Sequence, residues 1–246
     1  MRGKVSIVTG ASRGIGAAVT EGLAEAGAHV VLVYSSDNPA MDEKTTGLSK
    51  RHGVQVLNLR CDVTDYAAME KLVSRVRSKF GKIDVFIANA GVCIPKPILE
   101  QSLDEYHAQM NVNVHGVTYC AKTIGPLFKE QGFGNFIITT SISGRVVTIP
   151  VDHTTYNTTK AAAIQLGKSL AREWRGFAPV NMVSPGWIDT EMSDDLASIN
   201  EACRMAVMGR LGHVRELKAA YLYLASNASS FVTGAEITVD GGYTLP

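Results

Sequence analysis

The segment Tyr156-Asn157-Thr158-Thr159-Lys160 places a phenol and an ammonium four residues apart, just ahead of an alanine run. On a helix, positions i and i+4 share a face and their side chains meet. A tyrosine alone ionises near pH ~10, too high for efficient proton exchange at neutrality. A neighbouring ammonium favours the phenolate and lowers that value. The pair can therefore give or take a proton near neutral pH. The plain alternative is a surface helix on which a tyrosine happens to stand near a lysine. Ser141, in "TTSISG", ends an apolar run and can hold a carbonyl oxygen beside the phenol, an oxyanion-type contact. Ser143 competes for that place. His153 precedes Tyr156 by three, but no carboxylate at triad geometry can be inferred. It is assigned to substrate contact or to structure.

A second group of residues suits phosphate. "VTGASRGIGAA" follows one apolar run and opens a helical pattern. Gly10, Gly14 and Gly16 let the backbone turn tightly and approach a ligand, and a helix N-terminus offers free N–H groups to a pyrophosphate. Ser12, Arg13 and Ile15 fill the same loop. The spacing is G-x-x-x-G-x-G, and its strand-turn-helix context gives it more weight than a lone glycine loop. After the next strand comes Tyr34-Ser35-Ser36, where an acidic residue would select the ribose 2′-hydroxyl of NAD. Asp37 arrives later. Small hydroxyls with Arg13 favour NADPH. Asp62 and Val63 fall at the carboxyl edge of the third strand, suited to the adenine; the bland reading of Asp62 is a turn aspartate, with Thr64 or Asp65 the better helix cap. Asn89, Ala90 and Gly91 close the fourth strand, with Asn89 able to stitch neighbouring strands.

The elements that must position these residues alternate. Strands are expected at "KVSIVTG" (4–10), "HVVLVY" (29–34), "VQVLNL" (54–59), "IDVFIANAG" (83–91), "GNFIITTS" (134–141), "APVNMVSPG" (178–186) and "EITVDGG" (236–242). Helical patterns lie between them, including one long helix over roughly 103–130 and another over 153–174. Strands apolar on both faces and separated by helices indicate an α/β fold: one doubly wound, seven-stranded parallel sheet with helices on both faces. No linker or repeat divides residues 1–246, so a single dinucleotide-binding and catalytic domain is expected, with a lid around 190–212.

Composition excludes other classes. Lys and Arg total 24 against 23 Asp and Glu, a formal charge of +1, with no long charged run to suit nucleic acid or an anionic membrane. No apolar run reaches membrane-spanning length, and no signal peptide precedes the first strand. The four cysteines are scattered without CxxC or histidine at ligand spacing, so free thiols in a cytoplasmic protein are expected, and no metal site. The first strand begins almost at Met1, which leaves room for a longer natural N-terminus.

Taken in order, Thr9-Gly10…Gly14-Ile15-Gly16, Asn89-Ala90-Gly91, Asn113 in "NVNVHG", Ser141, Tyr156-xxx-Lys160, Pro185-Gly186 and "TVDGG" resemble the short-chain dehydrogenase/reductase family across nearly the whole chain. "ITTSISG", "SLAREW", "VSPGWIDT" and "YLYLASNAS" look like its fungal branch of NADPH-dependent mannitol dehydrogenases, sorbose and xylulose reductases and carbonyl reductases. Ala88 stands where the family often has Asn.

The resemblance implies that Asn113 anchors a water chain to Lys160, that Lys160 also hydrogen-bonds the nicotinamide ribose beside Tyr156, and that Pro185, Gly186, Ile188 and Thr190 reach the nicotinamide. It implies NADP(H) as cofactor, a small carbonyl or polyol substrate, and a homotetramer built through the helices at 103–130 and 153–174. Ser143, Val147, His153, Trp187 and Met192 are expected to wall the substrate pocket. Another reductase or cyclase on this scaffold, or a non-catalytic nucleotide sensor, is the competing expectation.

Overall fold

Successive residues of the central strands send their side chains to opposite cores. In β1 (Val5–Thr9) Ile7 enters one apolar cluster and Val8 the other; in β2 (His29–Tyr34) Val31 and Val33 oppose Val30 and Leu32. A strand with no solvent face must be apolar throughout, which is why these runs do not alternate. The computed structural model describes residues 1–191 and 196–245.

The remaining strands are β3 (Val56–Arg60), β4 (Val85–Ala88), β5 (Phe136–Thr139), β6 (Val180–Pro185) and β9 (Glu236–Val239), joined in the order β3-β2-β1-β4-β5-β6-β9. Every pairing is parallel. Ile188–Asp189 (β7) and Gly212–His213 (β8) form a separate parallel pair. The helices are α1 (Gly14–Glu25), α2 (Met41–His52), α3 (Tyr66–Phe80), α4 (Leu103–Met110), α5 (Val117–Gln131), α6 (Thr154–Glu173), α7 (Leu196–Met205) and α8 (Lys218–Ala225). Residues from α3, α5 and α6 close one core, around Phe86, Phe128, Phe136 and Trp174; α1, α2 and α8 close the other, around Leu23, Leu32 and Tyr221. Each such side chain contributes about 1.5–3 kcal/mol when buried.

The strand order reverses between β1 and β4, and in open α/β sheets the ligand crevice forms at that switch, beyond the carboxyl ends. Helix ends follow local rules: Asp65 caps α3 by accepting from Ala68 N at 2.9 Å, as its place in "CDVTD" suggests, while Ser102 and Glu105 form a capping box on α4.

The long helix expected over 103–130 is not continuous α-helix. Between α4 and α5 the turn Asn111–Gly116 is π-helical. Such a turn inserts one residue into the helical ladder and re-aims side chains, and it recurs at functional sites. Here it carries Asn113. Gly116 lies where a Cβ would stand 2.8 Å from Val63 Cγ2, so the turn sits tightly on the end of the third strand's loop.

Candidate active site

The loop from β1 to α1 is held open for an anion. Gly10 and Gly14 adopt φ of +65° and +55°, left-handed conformations that favour glycine. A Cβ on Gly16 would stand 2.2 Å from Gly10 O, so helix and strand could not come this close with any other residue. No side chain caps α1 at Arg13 and no acidic residue occupies its first turn. Its leading N–H groups and dipole therefore face the crevice unopposed, a donor set that fits a pyrophosphate. Lys44 braces the loop from α2, its Nζ donating to Ser12 O at 2.8 Å. Ile15 packs against the α1-side core, and Thr190 is the neighbour of Gly14 across the crevice.

At the far end of the groove, Tyr34 is half-buried while Ser35 and Ser36 are exposed. Arg13 is engaged elsewhere: its Nη1 pairs with Glu191 at 2.6 Å. Sequence reasoning missed Arg60, which pairs in register with Tyr34 and donates from Nε to Ser35 O at 3.1 Å. A cation thus stands beside Ser35. Asp62 spends one carboxylate oxygen on Thr64 N and Oγ1, both at 2.9 Å, the turn role weighed against adenine contact. Val63 is buried under Gly116.

Asn89 stitches three strands, as its position suggested. Its Nδ2 donates to Thr9 O at 2.9 Å and its Oδ1 accepts from Thr139 Oγ1 at 3.1 Å, joining the carboxyl ends of β1, β4 and β5. Ala90 N donates to Thr9 Oγ1 at 3.0 Å. Gly91 follows; a Cβ there would stand 3.3 Å from Asn113 Oδ1 and 3.5 Å from Lys160 Nζ.

The crevice ends on Ser141, Tyr156 and Lys160. Ser141 extends past β5 and its Oγ accepts from Ser143 N at 3.1 Å. Tyr156 and Lys160 lie in the first turns of α6, with Lys160 Nζ 5.5 Å from the centroid of the Tyr156 ring. Lys160 is buried, and its ammonium donates to Thr139 O at 3.1 Å. Burial pushes its pKa down to about 8, against a weaker upward pull from Cys93. The phenol departs from expectation. Its pKa is raised, chiefly by burial and then by Cys93, while the hydrogen bond from Ser141 works the other way. The i, i+4 spacing supplies proximity, but with the lysine committed to a backbone carbonyl, desolvation of the phenol wins.

Asn113 is fixed to loop and helix together. Its Nδ2 donates to Val92 O at 2.8 Å and Thr159 Oγ1 at 3.0 Å, and its Oδ1 accepts from Val92 N at 2.9 Å. It therefore ties the π turn to the residue preceding Lys160.

Beside the phenol runs a polar chain that spacing did not reveal. Cys93 Sγ lies 3.8 Å from His153 Nδ1, His153 Nε2 lies 2.6 Å from Thr148 Oγ1, and Thr148 lies 3.3 Å from Ser143 Oγ. The His153 and Tyr156 rings are 5.4 Å apart. Burial lowers the histidine pKa, with Asp152 opposing, and raises the Cys93 thiol to about 11. Both are neutral polar groups at neutral pH, not a thiolate–imidazolium pair. Cys93 and Thr148 bore no motif; only the fold brings residues 55 positions apart together. Of the other expected pocket residues, Trp187 is half-buried after Gly186, and Val147 is exposed. Pro185 and Ile188 are buried, and the Ile188 side chain packs into the α1-side core rather than into the crevice. Met192 lies outside the described residues. Of the expected lid, α7 is a helix, and Gly212 at its far end pairs with Ile188.

A capless helix terminus at a parallel sheet's switch point, with a serine–tyrosine–lysine group at the same carboxyl edge, is the arrangement of dinucleotide-dependent oxidoreductases. Residues 10–244 match a family profile described as enoyl-(acyl carrier protein) reductase, adh_short_C2. The chain is 46% identical over 248 residues to the NADP-dependent mannitol dehydrogenase of Hypocrea jecorina, spanning 99% of this chain and 93% of that one. It is 44% identical over 251 residues to the sorbose reductase of Candida albicans, spanning 100% and 89%. The solved NADPH-dependent 3-quinuclidinone reductase of Rhodotorula rubra superposes with a TM-score of 0.97 at 46% identity, covering 100% of this chain and 93% of that one. The chain belongs to the short-chain dehydrogenase/reductase family.

Proposed function

We propose that this chain is an NADP(H)-dependent carbonyl reductase acting on a ketone or ketose, reversible with the corresponding secondary alcohol or polyol. The observation that carries it is the Ser141–Tyr156–Lys160 group standing at the sheet's carboxyl edge beside the uncapped N-terminus of α1. Gly10, Ser12, Gly14, Ile15 and Gly16 hold the pyrophosphate; Arg13, Ser35, Ser36 and Arg60 receive the ribose 2′-phosphate; Asp62 and Val63 flank the adenine. Asn89, Ala90, Gly91, Pro185, Gly186 and Thr190 receive the nicotinamide half, Ile188 through its backbone. NADPH, when bound, supplies the hydride.

The chain's own residues handle the oxygen. Ser141 holds the carbonyl oxygen, and Tyr156 donates its proton to that oxygen as negative charge develops. Lys160 has one N–H committed to Thr139 O and two left for the ribose and for electrostatic support of the phenol. Asn113 keeps the lysine's helix turn in place. Ser143, His153, Trp187 and, at the mouth, Val147 receive the body of the substrate.

A homotetramer fits the exposed edge of β9, flanked by a fully exposed Phe231. A cytoplasmic location fits four unpaired cysteines and the lack, among described residues, of any helix long and apolar enough to cross a membrane. The test is a panel of fructose, L-sorbose, L-xylulose and 3-quinuclidinone assayed with NADPH and NADH by absorbance of the reduced cofactor, alongside light scattering for subunit number. Turnover of at least one carbonyl with NADPH preferred is the expected result; binding of NADPH without turnover of any carbonyl tried points to a sensor instead.

A further inference from the structure

The C-terminal "DGGY" does no chemistry, yet it touches three loops around the crevice. Asp240 organises the turn by accepting from Gly242 N, Thr244 N and Thr244 Oγ1 at 2.9, 3.0 and 2.7 Å. Gly186 N donates to Val239 O at 3.0 Å, and a Cβ on Gly186 would stand 2.6 Å from Asp240 Cβ, so the turn is fitted against the loop after β6. Met208 N, beyond α7, donates to Gly241 O at 3.0 Å.

The third contact is the specific one. Tyr243 is buried, and its hydroxyl accepts from Ile149 N at 3.0 Å and donates to Ile149 O at 3.2 Å. One phenol thus satisfies both backbone groups of a residue in an irregular loop, which would otherwise lack a ladder partner. The residue before it is Thr148, whose Oγ1 holds His153 Nε2 at 2.6 Å.

We propose that Tyr243 is a positioning residue for the substrate pocket: it clamps the 145–153 loop at Ile149 and so fixes Thr148 and His153 against the carbonyl compound. This rests on the carbonyl-reductase reading above. Ser141 follows β5 and Tyr156 sits on α6, so the proton donor is held by regular structure that Tyr243 does not touch. The clamp governs how the body of the substrate is gripped, and a uniform loss of binding appears in KM rather than kcat.

The test uses the full-length Tyr243→Phe enzyme, which keeps the buried ring and deletes only the hydroxyl. KM for the best carbonyl of the four-compound panel rises about five- to thirtyfold, the effect of one or two hydrogen bonds. The NADPH dissociation constant stays put, kcat moves less than about twofold, and amide exchange accelerates across 145–153 but not in β1 and α1. Thr148→Val, which cuts the histidine link and leaves Tyr243 intact, raises KM similarly, and the double variant adds little. An unchanged KM with only a lowered Tm, a matching loss of NADPH affinity, or additive effects in the double variant overturns the proposal. If the wild-type enzyme turns over none of the four compounds, the carbonyl-reductase reading fails and exchange alone decides: acceleration confined to 145–153 keeps the clamp, and its absence removes it.

Discussion

Lys160 Nζ stands 5.5 Å from the centroid of the Tyr156 ring, yet its hydrogen bond goes to the carbonyl of Thr139 at 3.1 Å. Lys160 is buried and Tyr156 half-buried, and desolvation moves both toward neutrality: the phenol upward, the ammonium down to about 8. Without cofactor the pair is a protonated donor beside a cation held under desolvation. The two remaining ammonium N–H groups can donate to an occupant of the crevice, which would hold the lysine charged to higher pH and strengthen its pull on the phenol.

Removing the phenol hydroxyl should separate chemistry from binding. Tyr156→Phe is expected to lower kcat about 10²–10⁴-fold, the range for loss of a general acid. The NADPH dissociation constant, read by fluorescence titration, should stay near the wild-type value because the pyrophosphate cradle is untouched. Near-normal turnover in the variant takes Tyr156 out of the mechanism.

Lys160 carries a pH signature in stability. Its folded pKa, about 8, lies below its ordinary 10.5. Between these values the unfolded chain binds more protons than the folded one, so this residue makes stability rise with pH from 8 upward. Below pH 8 the buried cation is a constant penalty. Tyr156, raised when folded, acts in the opposite direction once unfolded phenols ionise near pH ~10, which closes the window. Lys160→Met should therefore stabilise the cofactor-free protein most, relative to wild type, below pH 8, with that relative gain shrinking from pH 8 to 10. Urea melts at pH 7 and 9.5 measure it; a difference that does not vary with pH refutes the assignment.

Asn113 should matter to folding as well as to turnover. Asn113→Ala leaves Val92 N–H and C=O without the partner they have at 2.9 and 2.8 Å, while the Thr159 hydroxyl loses the amide's donation but keeps its own to Tyr156 O at 2.8 Å. Unsatisfied buried groups of this kind cost about 1–3 kcal/mol each, with solvent entry reducing the sum, so a loss of about 2–4 kcal/mol is expected. The kcat should fall too, because Thr159 precedes Lys160. A stability loss with kcat intact confines Asn113 to structure.

The sequence made legible what depends on neighbours along the chain. Continuous apolar runs gave the central strands, because burial on both faces leaves no room for alternation; Thr64 and Asp65 were the visible cap candidates, and Asp65 fills the place; Asn89 ended a strand with an amide and a small neighbour. What it hid depends on distant loops meeting. Nothing in "NVNVHG" announces a π turn, since the extra residue is stabilised by Val92 and Thr159 rather than by its own helix. Cys93 with His153, and Ile149 with Tyr243, are juxtaposed only once the sheet is assembled. The sign of the Tyr156 shift was out of reach for a related reason: spacing tells distance, but not how dry the site is or where else the lysine's proton goes.

Arg13 offers a prediction about cofactor choice that its sequence position alone does not. Its partner is Glu191, at 2.6 Å, with both side chains about 70% exposed (73% and 69%). A 2′-phosphate arriving at the same guanidinium must displace that carboxylate, whereas a cofactor lacking the phosphate need not. Exposed pairs of this kind are worth about 0.2–1 kcal/mol, so Glu191→Gln should tighten NADPH binding about two- to fivefold and leave NADH unmoved. The advantage should fade in high salt, where exposed charges are screened. Arg13→Gln should weaken NADPH selectively, and in that background Glu191→Gln should have no further effect. Titrations of the four proteins with both cofactors give the coupling directly; equal gains for NADPH and NADH would place Glu191's influence in the segment leading to α7 rather than in competition for Arg13.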